Sequence, residues 1–239
     1  MRTGPKNLIT DVAGLSVGNA HDAKVATGVT VALFETEAVA SVCVSGGAPA
    51  GRDIECLAPE ATVDSVHAIL LSGGSGFGLD AASGAQAWLR ERGRGVVFGR
   101  AVIPITPQAI CFDLINGGDK DWGSEPIYWH LGKQAAHAAV RGAFELGTVG
   151  GGYGATTATF KGGAGSASQT TASGYTVGAF VVVNAVGSTT VGHGPHFWAG
   201  AIEREGIVSP ALIIIGDVAS RADKHTLRSF ADRTREDVK

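Results

Sequence analysis

At 239 residues, 44% of them hydrophobic and 17% charged, the chain holds enough apolar mass for one substantial core and is not a disordered polymer. A formal net charge of −3 offers no basic field for nucleic acid, and no apolar run approaches the roughly 20 residues that cross a bilayer. The 36 glycines lack a Gly-X-Y period, which excludes collagen, and the three cysteines (Cys43, Cys56 and Cys111) build no paired disulfide framework. The opening MRTGPKNLITDVAG has no apolar stretch of the signal-peptide kind. The expectation is a soluble, cytoplasmic α/β protein that forms one domain over residues 1–239, with neither nucleic acid nor membrane as a partner.

In chain order, Thr27–Phe34 (TGVTVALF) and Ala38–Val44 (AVASVCV) are rich in valine and read as consecutive strands. The short Glu35–Glu37 link predicts a hairpin between them. His67–Ser72 is a short apolar strand running into glycines at 73, 74 and 76. A helix should follow, because Leu79, Ala82, Ala85, Trp88 and Leu89 recur at helical spacing before Gly93. Ala101–Asp113 carries two prolines and is expected to be extended. Asn116–Glu125 is a polar surface loop, and Leu131–Leu146 reads as an alanine-rich helix with small faces that allow close packing. From Gly147 to Ser168 glycines crowd out any helix and suggest backbone approaching backbone or substrate. Tyr175–Gly187 is a long apolar strand, Ala211–Ile215 a last one, and residues 220–239 turn abruptly polar and charged.

Several chemical motifs fail on their details. The Gly73–Gly78 loop has Leu79 where G-x-G-x-x-G needs its third glycine, which leaves a tight strand-to-helix turn. His193 and His196 stand in HGPH, where glycine and proline prevent the one-face geometry of a metal-binding helix, so no metal or other cofactor is expected. Ser75, Ser166 and Ser168 lack the glycines of a nucleophile elbow. Cys111 reads as a packed free cysteine, and His130 and His137 as packing or surface residues. Two polar residues stand out. Asn184 interrupts an apolar strand, and its side-chain NH₂ suits an oxyanion-hole donor. Lys161 sits in TFKGGAG without a neighbouring carboxylate and suits proton transfer or stabilisation of an anion.

The blocks LITDVAGLSVGNAHD, GGAPAGRDIECLAPE, VHAILLSGGSGFGLDAASGAQAWL, VIPITPQAICFDL, GTVGGGYGATTATFKGGAGSAS and GYTVGAFVVVNAVG run in one order through most of the chain. In them the sequence resembles the L-aminopeptidase/D-amidase-esterase family of N-terminal-nucleophile hydrolases, which includes β-peptidyl aminopeptidases and nylon-oligomer endohydrolases. The resemblance implies a four-layer αββα sandwich completed by a second, β, chain cut from the same precursor. It implies a Ser or Thr nucleophile at the start of that chain, since the expected nucleophile stretch is missing here, with the polar 220–239 segment leading to the cleavage site. This chain would then be the α chain of a self-cleaving amidohydrolase acting on a small amide or peptide, assembled into homo-oligomers of αβ units. By the same resemblance Asn184 is an oxyanion-hole or nucleophile-orienting donor and Lys161 a residue of autocleavage or charge stabilisation. Phe112 stands where aminopeptidase relatives carry a substrate-binding tyrosine, and Gly151 and Gly152 sit in the segment that approaches the site. The alternatives are an acyltransferase-like relative of the same self-cleaving architecture and a non-catalytic binding module.

Overall fold

The computed structural model describes residues 2–200, apart from Gly47, Asp64, His193, Pro195 and Ala199. The strand expected at Ala211–Ile215, the polar segment 220–239 and His193 lie outside the described residues. The strands are β1 (Arg2–Thr3), β2 (Leu15–Asp22), β3 (Thr27–Ala38), β4 (Gly51–Arg52), β5 (Val66–Ser72), β6 (Val96–Phe98), β7 (Ala101–Ile103), β8 (Gln108–Ile110), β9 (Gly163–Thr170) and β10 (Thr176–Val183). The helices are α1 (Ser75–Gly78), α2 (Ala81–Arg90) and α3 (Tyr128–His137).

A five-stranded sheet runs in the order β2-β3-β5-β8-β4, antiparallel except for β5 beside β8. Alternation along β3 turns Val29, Val31 and Leu33 toward α2 and α3, where they join Ala68, Leu70, Leu89, Leu131 and Tyr128 in the core. Fully burying a side chain such as Leu70 stabilises the fold by about 1.5–3 kcal/mol. The two helices pack closely because their meeting faces are small: Gly84 lies against the Trp129 backbone and Gly132 against that of Ala81. Gln108 ties sheet to helix, its amide donating to Ser72 Oγ (2.7 Å) and the Gly78 carbonyl (2.6 Å) while its oxygen accepts from Ala82 N–H (3.0 Å). On the other side of this sheet, a 3-10 turn at Gly150–Gly152 connects to an antiparallel sheet ordered β1-β9-β10.

Two sequence expectations are corrected. There is no Thr27–Val44 hairpin: β3 continues to Ala38, and residues 39–45 form no strand, leaving Val39 and Val44 exposed. Glu35–Glu37 contains no residue suited to a tight turn, and both edges of β3 are already taken, by β2 and by β5. The helix expected to reach Leu146 starts at Tyr128 and stops at His137. Val140 leaves it to exchange two backbone hydrogen bonds of 3.0 Å with Val17, which the open edge of β2 would otherwise lack.

Candidate active site around a glycine-rich turn

The Gly150–Gly152 turn is the hub on which the chemically interesting residues converge. Gly150 has φ +51°, a left-handed conformation, and a side chain there would strike Asn19 and Thr30. Gly151 N–H donates to Thr30 Oγ1 of β3 at 3.0 Å, and the Gly151 carbonyl accepts from the Cys111 thiol, with sulfur 3.6 Å away. Gly152 is buried against the backbone of Gly163 and Ala164 at the start of β9. Three parts of the chain thus approach one another at backbone distance, which only hydrogen side chains permit.

The segment continues through Tyr153 to a second pivot. Thr156 forms an antiparallel bridge with Lys161, and its N–H donates to Asn184 Oδ1 at 3.1 Å. Asn184 follows the end of β10 and Lys161 precedes the start of β9, so one short stretch of backbone holds both. With its oxygen engaged, Asn184 has no partner for its NH₂ among the described residues, which leaves that group able to donate. Asn184 also lines an open cleft of about 700 Å³, together with Ala109 and Ile110 of β8, Val44 and Glu55. Phe112 follows directly after the cysteine that touches Gly151 and is 48% exposed. The structure therefore gathers Asn184 and Lys161 at one turn, and Phe112 near Gly151, with Gly151 and Gly152 forming the backbone between the two groups.

Asp113 is a buried anchor that composition and spacing had not singled out. It is 1% exposed, and it accepts from Thr27 Oγ1 (2.6 Å) and from Gly74 N–H (2.7 Å). Ser75 N–H donates to the Cys111 carbonyl at 3.0 Å, so the residues after β8 fasten the Gly73–Gly78 loop in place. Gly74 (φ +88°) and Ser75 (φ +52°) make this a tight left-handed turn into α1. The available signal was a lone carboxylate ending the apolar run AICFD.

The other candidates take structural places. Burial, with the Asp113 charge adding to it, pushes the Cys111 thiol up to about 12, so it stays protonated and is a poor nucleophile. Ser166 donates to the Ala179 carbonyl and accepts from Ile9 N–H, both at 2.8 Å. Ser168 donates to Asp11 Oδ2 at 2.6 Å. Burial pushes the Asp11 carboxyl up, but the bonds from Ser168, Lys6 and Leu8 outweigh it and hold the group at about 2. His130 and His137 are exposed on α3. Among the described residues no three of His, Cys, Asp and Glu come together as metal ligands, and no helix is long and apolar enough to cross a membrane.

Comparison with known proteins agrees with this architecture. The sequence profile described as Peptidase family S58 matches residues 7–235. The chain is 44% identical over 201 residues to an uncharacterized aminopeptidase of Mycobacterium leprae, covering 78% of this chain and 55% of that protein. It is 31% identical over 153 residues to the 6-aminohexanoate-oligomer endohydrolase of Paenarthrobacter ureafaciens, covering 64% of this chain and 39% of that protein. Among solved structures it is similar to a Burkholderia sp. beta-aminopeptidase, with a TM-score of 0.60 and 26% identity over 78% of this chain and 54% of that one. It also shares the fold of the L-aminopeptidase D-Ala-esterase/amidase of Ochrobactrum anthropi, a variant of the Ntn-hydrolase fold, with a TM-score of 0.56 and 22% identity over 71% and 50% of the two chains. The chain spans about half the length of the curated mycobacterial relatives it matches.

Proposed function

The chain belongs to peptidase family S58, and on that premise we propose that it is the α chain of a self-cleaving amidohydrolase whose nucleophile stands on a second, β, chain. A Ser or Thr at the start of the β chain attacks the substrate carbonyl, and its own α-amino group takes the hydroxyl proton. The Asn184 NH₂ donates to the oxyanion that forms and the Lys161 ammonium stabilises that charge. Collapse of the intermediate breaks the C–N bond and releases the substrate amine, which takes the proton from the α-amino group, and water then hydrolyses the acyl-enzyme. The observation that carries this reading is the Thr156 N–H bond to Asn184 Oδ1, which fixes the carboxamide beside Lys161 with its donor end unspent.

The substrate is a small amide or peptide, and the apolar cleft wall of Ala109, Ile110, Val44 and Val186 suits an aliphatic group next to the scissile bond. By the family resemblance Phe112, exposed and without a hydroxyl to offer, and the Gly151–Gly152 segment would approach the substrate. The β chain would complete the αββα sandwich. Two features favour that: β10 is an edge strand among the described residues, and its Val177 and Val181 are 56% and 41% exposed. Units of αβ would assemble further into a homo-oligomer.

Intact-mass measurement of the full-length gene product tests the reading. Two species whose masses sum to the translated precursor plus one water, the smaller starting with Ser or Thr, are the expected result. A single uncleaved species that hydrolyses no amide refutes it and leaves a binding module.

A further inference from the structure

We propose that Tyr153, braced by His21, is the positioning residue that holds the Lys161 ammonium at the site, an inference that rests on the role given to Lys161 above and deepens it. The Lys161 Nζ lies 5.0 Å from the centroid of the Tyr153 ring, inside the roughly 6 Å reach of a cation–π contact. That ring is stacked on the His21 imidazole, with centroids 4.3 Å apart and planes 13° from parallel. Both supports are anchored. His21 is in β2, paired with Gly28 of β3, and Tyr153 N–H closes the glycine turn by donating to the Gly150 carbonyl at 2.9 Å.

The chemistry explains why an aromatic face suits this lysine. A carboxylate partner would neutralise the ammonium and occupy its donors, which would spend the charge the reaction needs. A ring attracts the cation through its quadrupole and leaves all three N–H groups available to an oxyanion. Among the described residues Lys161 forms no salt bridge. Its four-carbon stem is flexible, so some contact must select one position for the ammonium. The ring of Tyr153 supplies it. The stacked His21 imidazole covers one face of that ring.

The test compares Tyr153→Leu, Tyr153→Phe, His21→Ala and Lys161→Met in the full-length protein. Tyr153→Leu is expected to lower kcat about five-fold, the worth of one exposed cation–π contact, with KM and Tm unmoved. Tyr153→Phe keeps the quadrupole and is expected to turn over at the wild-type rate. Equal losses in the Phe and Leu variants would overturn the proposal, because the hydroxyl and not the ring would then carry the effect. Wild-type kcat in Tyr153→Leu beside an inactive Lys161→Met would overturn it while leaving the role of Lys161 standing. Wild-type kcat in Lys161→Met would instead sink that role. The geometry has its own readout in NMR: ring current should shift the Lys161 ε-protons upfield in the wild type and in Tyr153→Phe, and less in His21→Ala. An unshifted wild-type resonance overturns the contact whatever the kinetics, and an unchanged shift in His21→Ala removes the brace.

Discussion

Replacing Gly152 with alanine isolates the backbone contact on which the candidate site is built. A Cβ at this position would press into the Ala164 nitrogen and stand 2.5 Å from the Gly163 carbonyl carbon and 3.0 Å from its Cα. All three atoms are backbone of β9, so no side chain can swing aside. Restoring ordinary carbon contact near 3.5 Å means moving the turn and the strand about 1 Å apart, a gap that forfeits a quarter to a half of each van der Waals contact it opens. Overpacking of this kind costs about 1–3 kcal/mol, which lowers the Tm of a domain this size by about 3–10 °C. Gly165, two residues further along β9 than Gly163, is the control: a Cβ there meets nothing within 4 Å. Gly165→Ala should leave Tm unchanged or raise it slightly, since alanine loses less backbone entropy than glycine. Thermal unfolding of the two variants of the full-length protein, followed by circular dichroism, decides the matter. Gly152→Ala unfolding at the wild-type temperature, or both variants falling equally, would show that the turn and β9 are not in the contact described. Because the displaced strand begins beside Lys161, Gly152→Ala should also depress amidase activity by more than its loss of stability accounts for.

Asn184→Ala should lower turnover about 10²-fold while the protein still folds, as for the loss of one oxyanion donor; amidase activity within three-fold of wild type would remove Asn184 from the chemistry. Asp113→Ala strands the Thr27 hydroxyl and the Gly74 N–H in the interior and should cost about 2–5 kcal/mol in urea unfolding, whereas Asp113→Asn should recover most of it. His67 is buried, and burial lowers its pKa below the usual 6.5. The unfolded chain therefore binds the proton more readily, and stability should fall as pH drops below about 6.5. His67→Gln should flatten that part of the pH profile of Tm. The described chain expressed without its second chain should lack a cooperative unfolding transition, which calorimetry on the isolated monomer would check.

The elements that local pattern specifies were legible. His67–Ser72 became β5, the helical spacing from Leu79 to Leu89 became α2, and the proline-bearing stretch from Ala101 became the extended β7 and β8. What local pattern could not carry was competition for partners. The valines of 38–44 have the composition of a strand, but β3 had no free edge to give them. Alanines to Leu146 favour a helix, but Val17 offered Val140 a better use of its backbone. β9 escaped notice for the opposite reason. GAGSASQT has no β-branched or aromatic residue before its final threonine, and it is a strand because β1 and β10 pair with it on both sides.

The same distinction governs the site. Asn184 and Lys161 could be singled out because a lone polar group in apolar or uncharged surroundings is visible in one dimension. The parts that position them are visible only in three. Thr156 acts through its backbone N–H, which any residue but proline would supply, so its identity carries no signal. Gly151 and Gly152 act by what they lack, and a sequence with 36 glycines does not reveal which few meet another strand. His21 and Tyr153 come from distant segments and are joined only because β2 and the glycine turn both abut β3. A site built this way places its chemistry in a few side chains and its precision in the backbone. Substitutions at Asn184 or Lys161 should therefore remove activity and spare the fold, while substitutions at Gly151 or Gly152 should damage both together.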